Sequence, residues 1–167
     1  PALSTNEMPE QVVALHLCHG SLQWLLMDEL RVVHQWQNMP LFPETRFKYD
    51  HAVYQEKLWE VVEQLPRSSV YLLESESMAQ PRKPKAAGSA YQAVNMERLE
   101  ASLTTLLNAH SGPPPSHRVY KYAPNMVSLH YNILIGDQRV RTKALVDQVC
   151  EGRCEYTPGV KVPREHA

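Results

Sequence analysis

Near the start of the chain two apolar runs, residues 11–18 (Gln-Val-Val-Ala-Leu-His-Leu-Cys) and 22–27 (Leu-Gln-Trp-Leu-Leu-Met), are too short for helices. Both predict strands. Asp28-Glu29 supplies a two-residue turn into residues 30–36, and three strands joined by tight turns make an antiparallel meander. After a loop holding Pro40 and Pro43 the period changes. Tyr54, Leu58, Val61, Val62 and Leu65 fall on one helical stripe, which Asp50 is placed to cap and Pro66 to stop. Residues 69–73 (Ser-Val-Tyr-Leu-Leu) then form a continuous apolar run ending on Glu74. A run this apolar predicts a central strand buried on both faces and paired in parallel through the preceding helix.

The segment from Ala79 to Ser89 reads as a loop because it carries Pro81, Pro84 and Gly88. A second helix is predicted over about 90–109, with Met96, Leu99, Leu103, Leu106 and Leu107 on one stripe, and Ser111 to Pro115 breaks it. His117 to Tyr122 predicts a fifth strand, 125–133 a further helix, 135–138 a turn, and Arg141 to Val149 a last helix. No internal repeat is present. The order β-β-β-α-β-α-β-α combines short antiparallel turns with parallel helical crossovers. It predicts an α/β domain with a mixed sheet of five strands, the first three antiparallel and the later ones parallel, and helices on both faces. Ribonuclease-H-like nucleases and resolvases use this order, although order alone also suits other α/β folds. We expect an N-terminal extension over 1–10, a domain over 11–150 that is incomplete at its C-terminal end, and an irregular tail over 151–167. The opening Pro1 in place of Met suggests a processed or trimmed piece, so no targeting segment is expected in view.

Composition narrows the picture further. The 167 residues are 43% hydrophobic and 21% charged, a globular balance sized for one domain. No apolar run approaches the roughly 20 residues that a membrane-crossing helix needs, and no membrane partner is expected. Three cysteines, Cys18, Cys150 and Cys154, are too few for a disulfide scaffold and favour a reducing compartment. The net charge of -1 hides a split. Residues 1–80 carry 5 Lys and Arg against 11 Asp and Glu, whereas 81–143 carry 9 against 3. A basic stretch that spans several elements suits a phosphate-facing surface, because each neutralised phosphate releases counterions. The candidate phosphate contacts are Arg82, Lys83 and Lys85 on the loop, with Arg139, Arg141 and Lys143 near a helix start, where backbone N–H groups add to anion binding.

Phosphodiester hydrolysis in this fold class needs carboxylates around Mg²⁺ ions. The first belongs in the middle of strand one, where this chain has His16, and imidazole is a poor ligand for a hard cation. Glu74 stands at the end of the central strand, where a second acid belongs, and alone it cannot hold a metal pair. The later acids expected from a helix do not appear. His16 and Glu74 therefore read as a vestigial site, with no catalytic residue and no cofactor assigned; the plainer readings are a core histidine and a solvated strand-end carboxylate. His16, Cys18 and His19, with Cys150 and Cys154, hold donors suited to Zn²⁺, but the cysteine spacing is looser than a paired C-x₂-C signature and no metal is assigned.

Taken in order, several segments carry a resemblance. They are Val12 to His16, Leu22 to Trp24 with Asp28, Val32 to Gln37 (Val-Val-His-Gln-Trp-Gln) and Tyr71 to Glu74, followed by Met96-Glu97, Leu106 to Asn108, Leu134 to Arg139 and Lys143 to Val146. Together they cover about residues 11–149, and the collinear set resembles the C-terminal resolvase-like domain of the metazoan mitochondrial transcription elongation factor family. The resemblance implies a ribonuclease-H-like pseudonuclease that has lost metal-dependent cleavage. It also implies a binding partner in mitochondrial RNA polymerase, contact with DNA and nascent RNA, a homodimer of this domain, and a place in the mitochondrial matrix at the nucleoid. The rival expectation is an active metal-dependent nuclease of Holliday-junction-resolvase or ribonuclease-H type using Glu74. The family's helix-hairpin-helix module has no counterpart in these residues.

Overall fold

Alternation of apolar side chains along three consecutive segments forces one face of each toward a common core, and the chain folds back on itself to build it. In the computed structural model, residues 9–18, 20–41, 50–75, 87–110, 118–123, 126, 134–135, 138–139 and 155–160 are described. Strands β1 (Gln11–Cys18), β2 (Ser21–Asp28) and β3 (Val32–Pro40) form the antiparallel meander. Helix α1 (His51–Gln64) crosses to β4 (Val70–Glu74), and helix α2 (Ala87–His110) crosses to β5 (Val119–Tyr122). Strand β4 lies parallel to both β1 and β5. The mixed five-stranded sheet expected from the sequence is present.

A sixth strand joins it. Strands β6 (Leu134–Ile135) and β7 (Gln138–Arg139) form a separate antiparallel pair, while β8 (Glu155–Tyr156) lies parallel to Val32 and Val33 at the edge of the main sheet. The main order is β5-β4-β1-β2-β3-β8. The expectation of an irregular tail over 151–167 is thus corrected at residues 155–156. A two-residue strand has no period of its own to read and exists only because β3 offers an open edge.

The core is the sum of stripes. Val13, Leu15 and Leu17 share a face with Leu22, Trp24, Leu26, Tyr71 and Leu73. Against it pack Tyr54, Leu58, Val61, Val62 and Leu65 of α1 with Leu99, Leu103 and Leu107 of α2. The stripes predicted for both helices face this core, with Met96 and Leu106 packed against it but only partly buried, and each fully buried leucine contributes roughly 1.5–3 kcal/mol. Asp50 caps α1 as expected, accepting from the N–H of Ala52 at 3.0 Å. Both described helices share this single core cluster, on one face of the sheet. The segments expected to supply helices at 125–133, apart from Met126, and at 141–149 lie outside the described residues. Two boundaries move relative to expectation: α2 begins at Ala87, inside the predicted loop, and the third strand begins at Val32 rather than Leu30.

The shifted turn has a cause. Asp28 Oδ1 accepts from the N–H groups of Leu30 and Val32, each at 2.9 Å, which moves the turn one residue on to Glu29-Leu30 and leaves Leu30 76% exposed. Arg31 then takes φ 65°, a left-handed conformation that a non-glycine residue adopts only where the surroundings impose it. Pairing of Leu26 with Gln35 and of Met27 with Val33 leaves His34 as the extra residue of a bulge. Its Nε2 lies 2.7 Å from Asp28 Oδ2, and its Nδ1 lies 3.0 Å from the Thr157 hydroxyl beyond β8. One carboxylate therefore ties the turn, the bulge and the sixth strand together.

The Val32 N–H, the hydrogen bond from His34, the charge on that ring and the Leu30 N–H together hold the Asp28 carboxyl below its ordinary value, against a smaller opposing effect of burial. A depressed folded-state value means that this contribution to stability is present above the unfolded-state value, near pH 4, and is lost as pH falls through the folded one. Urea unfolding of wild type and Asp28→Asn at several pH values is expected to give a stability gap at pH 7 that shrinks below about pH 4. A gap independent of pH would show that the carboxylate charge contributes nothing.

Candidate functional site

Pairing of β1 with β4 places His16 directly beside Glu74. The His16 Nδ1 stands 3.3 Å from Glu74 Oε2, and the two side chains are 36% and 15% exposed. Both project from the sheet face opposite the helix-covered core, since their neighbours Leu15 and Leu73 point into that core. His16 is therefore not the core histidine of the plainer reading. The registers extend the line: Gln23 is the β2 partner of His16, Asn38 is the β3 partner of Gln23, and Tyr122 is the β5 partner of Glu74. A row of polar side chains, Asn38-Gln23-His16-Glu74-Tyr122, crosses five strands. Only His16 and Glu74 of this row are recognisable from the sequence, because a transverse row is visible only once strand registers are known.

Just behind Glu74 the chain is clamped from the other face. Ser75 N–H donates to Tyr122 O at 2.9 Å, and Ser75 Oγ donates to Glu100 Oε1 at 2.7 Å. Lys121 Nζ reaches the same carboxylate oxygen at 2.7 Å. Glu100 is 6% exposed, and pairing with Lys121 is what makes a buried carboxylate tolerable. The sequence carried a signal for this group, a charged residue on the apolar stripe between Met96 and Leu103. Glu100 cannot serve beside His16, because it lies on the helix side of the sheet and is committed to Lys121. Among the described residues no three of His, Cys, Asp and Glu converge into a metal-binding group.

The donor set at the row's centre decides what it can do. One carboxylate and one imidazole do not suit Mg²⁺, which takes oxygen ligands in near-ideal octahedral geometry. The imidazole is instead a partner for the carboxylate: as a cation it cancels the charge that would attract a metal ion, and it can donate to Glu74. The structure thus brings together the two residues that sequence reasoning named. The basic candidates fare differently. Arg139 lies in β7, paired with Leu134 in a two-stranded sheet separate from the main one, whereas Arg82, Lys83, Lys85, Arg141 and Lys143 lie outside the described residues. Cys150 and Cys154 lie outside them as well.

Substituting His16→Asp sets two carboxylates side by side in register. At pH 7 the variant is expected to lose on the order of 1–2 kcal/mol by like-charge repulsion, and to recover part of it when millimolar Mg²⁺ is added or the pH is lowered to 5. Thermal melts at the two pH values, with and without Mg²⁺, measure this; a variant as stable as wild type throughout would mean that the two side chains are not neighbours.

No family model matches the chain. Among curated proteins it is similar to the mitochondrial transcription elongation factor of Rattus norvegicus, 28% identical over 149 residues, which is 87% of this chain and 39% of that protein. The counterpart from Mus musculus is 26% identical over 159 residues, 93% of this chain and 42% of that protein. The Homo sapiens protein is 27% identical over 128 residues, 76% and 34% respectively. The chain spans between about a third and two-fifths of the length of these relatives. Among solved structures it matches T. thermophilus RuvC in complex with a Holliday junction substrate, with a TM-score of 0.51 and 14% identity, covering 93% of this chain and 84% of that one. The fold is that of a resolvase-like, ribonuclease-H-like domain, and the sequence relatives are mitochondrial transcription elongation factors.

Proposed function

We propose that this chain is a noncatalytic, resolvase-like module of mitochondrial transcription elongation, which grips mitochondrial RNA polymerase and nucleic acid and so raises processivity. The observation that carries the reading is the His16–Glu74 pair, an imidazole 3.3 Å from the carboxylate at a position where hydrolysis calls for a second oxygen anion. A sheet with an imidazole where a second carboxylate would stand retains the shape of a nuclease while lacking the paired negative charge that would draw its metal ions. The names of the sequence relatives support the transcriptional role and the mitochondrial setting. Within that setting we place the chain in the matrix, at the nucleoid, acting as a homodimer on DNA and nascent RNA. Added phosphate contacts slow dissociation without base readout, and a factor that outlasts a pause needs no more than that.

Incubated with Mg²⁺ and a four-way junction, duplex DNA or an RNA–DNA hybrid, the chain is expected to yield no cleavage product. Product that disappears on Glu74→Gln would replace this reading with that of an active metal-dependent nuclease.

The basic segment is tested separately. Reversing the charge of Arg82, Lys83 and Lys85 together is expected to weaken DNA binding and to flatten its salt dependence by about 0.9 for each phosphate that is no longer neutralised. An unchanged slope would remove this segment from the interface. A chain that binds polymerase yet shows no salt-dependent affinity for DNA would reduce the module to a protein-interaction domain.

A further inference from the structure

Helix α1 buries one face in the core and leaves the other exposed, with a tryptophan on it. Trp59 lies outside the core cluster and is 43% exposed. Its indole is nevertheless held in place from two directions: Nε1 donates to Glu63 Oε1 at 2.9 Å, one turn along α1, and the ring meets His110 of α2 edge-on at 6.4 Å. An exposed aromatic already fixed in one orientation loses little entropy on binding, and tryptophan is among the side chains most enriched at the energetic centres of protein interfaces. Around it on the same exposed face stand Glu56, Glu60 and Glu63, with Lys57 paired to Glu60 at 2.6 Å. Glu60 and Glu63 occupy the C-terminal half of the helix, where carboxylates oppose the macrodipole. Their local pairs, Glu60 with Lys57 and Glu63 with the Trp59 indole, offset that cost and fix the carboxylates in place.

We infer that the outer face of α1, centred on Trp59 and ringed by these glutamates, is a docking surface for a protein partner that presents Arg or Lys. Charge complementarity selects that occupant. The carboxylates repel nucleic acid, whereas a guanidinium can stack on the indole and pair with a flanking glutamate in one placement. By position, α1 covers the sheet face opposite the His16–Glu74 row, so this surface lies on the other side of the sheet from that row. The inference rests on the proposed function in one respect, that it takes mitochondrial RNA polymerase as the partner, and it requires the polymerase surface that meets α1 to be basic.

The test measures binding of the whole chain to purified mitochondrial RNA polymerase and, in parallel, to duplex DNA. Trp59→Ala is expected to weaken polymerase binding at least tenfold, and the double reversal Glu56→Lys with Glu60→Lys to weaken it further. DNA affinity and melting temperature should be retained, and Trp59→Phe should keep most of the polymerase affinity. Wild-type binding to polymerase should also weaken as salt rises. Polymerase binding unchanged in Trp59→Ala would overturn the inference while leaving the proposed function standing. Equal loss of DNA affinity, or a weakened variant that has also passed from dimer to monomer, would overturn it by assigning the surface to nucleic acid or to a second copy. Wild-type chain that does not bind polymerase at all would overturn the proposed function itself, and this inference with it.

Discussion

The parallel pairing of β1 with β4 is the constraint on which the rest of the domain depends. It is a non-local contact, closed only after the meander and α1 have been laid down between the two strands, and it sets the register of both neighbours. Through β1 it fixes the meander, and through β4 it fixes β5 and the helix that crosses to it. The same pairing seals the core, since Val13 and Leu15 meet Tyr71 and Leu73 across it. Ser68 fastens its entrance, with its hydroxyl donating to Gln11 O at 2.7 Å while Tyr71 OH donates to Pro66 O at 3.0 Å. A slip of one residue would turn every side chain of β4 to the wrong face.

Register also determines what the polar face of the sheet offers. His16 and Glu74 face each other because their strands are in step, and the apolar residues beside them are locked into the core on the other side. Two acids at these places would invite metal ions and repel one another without them. An acid beside an imidazole carries no such repulsion, so the pair present here is a compatible one. The Ser75–Glu100–Lys121 group behind Glu74 shows the complementary solution on the buried side, where a carboxylate is retained by supplying both a hydroxyl and an ammonium. The domain thus handles its acids differently on its two faces.

Much of this was legible in the residues. The helical stripes named from spacing face the core, with Met96 and Leu106 only partly buried, the Asp50 cap and the strand ending on Glu74 are present, and apolar continuity through residues 70–73 identified a central strand. These features are local, and a period of two or of 3.6 residues is written directly into the order of side chains. The shifted hairpin at Asp28 was not legible, because its turn is set by one side chain bonding two backbone N–H groups and a bulged histidine, and no period records that. Nor was β8, whose two residues become a strand only where β3 leaves an edge open.

The order of side chains alone therefore determined the elements, their buried faces and the presence of an imidazole at position 16, since each depends on residue type and short-range spacing. Tertiary structure decided which residues become neighbours. It brought Glu74 to His16, sent Glu100 to the opposite face to be neutralised by Lys121, and set Trp59 of α1 against His110 of α2. Those outcomes depend on strand register and helix placement, which are properties of the closed core as a whole.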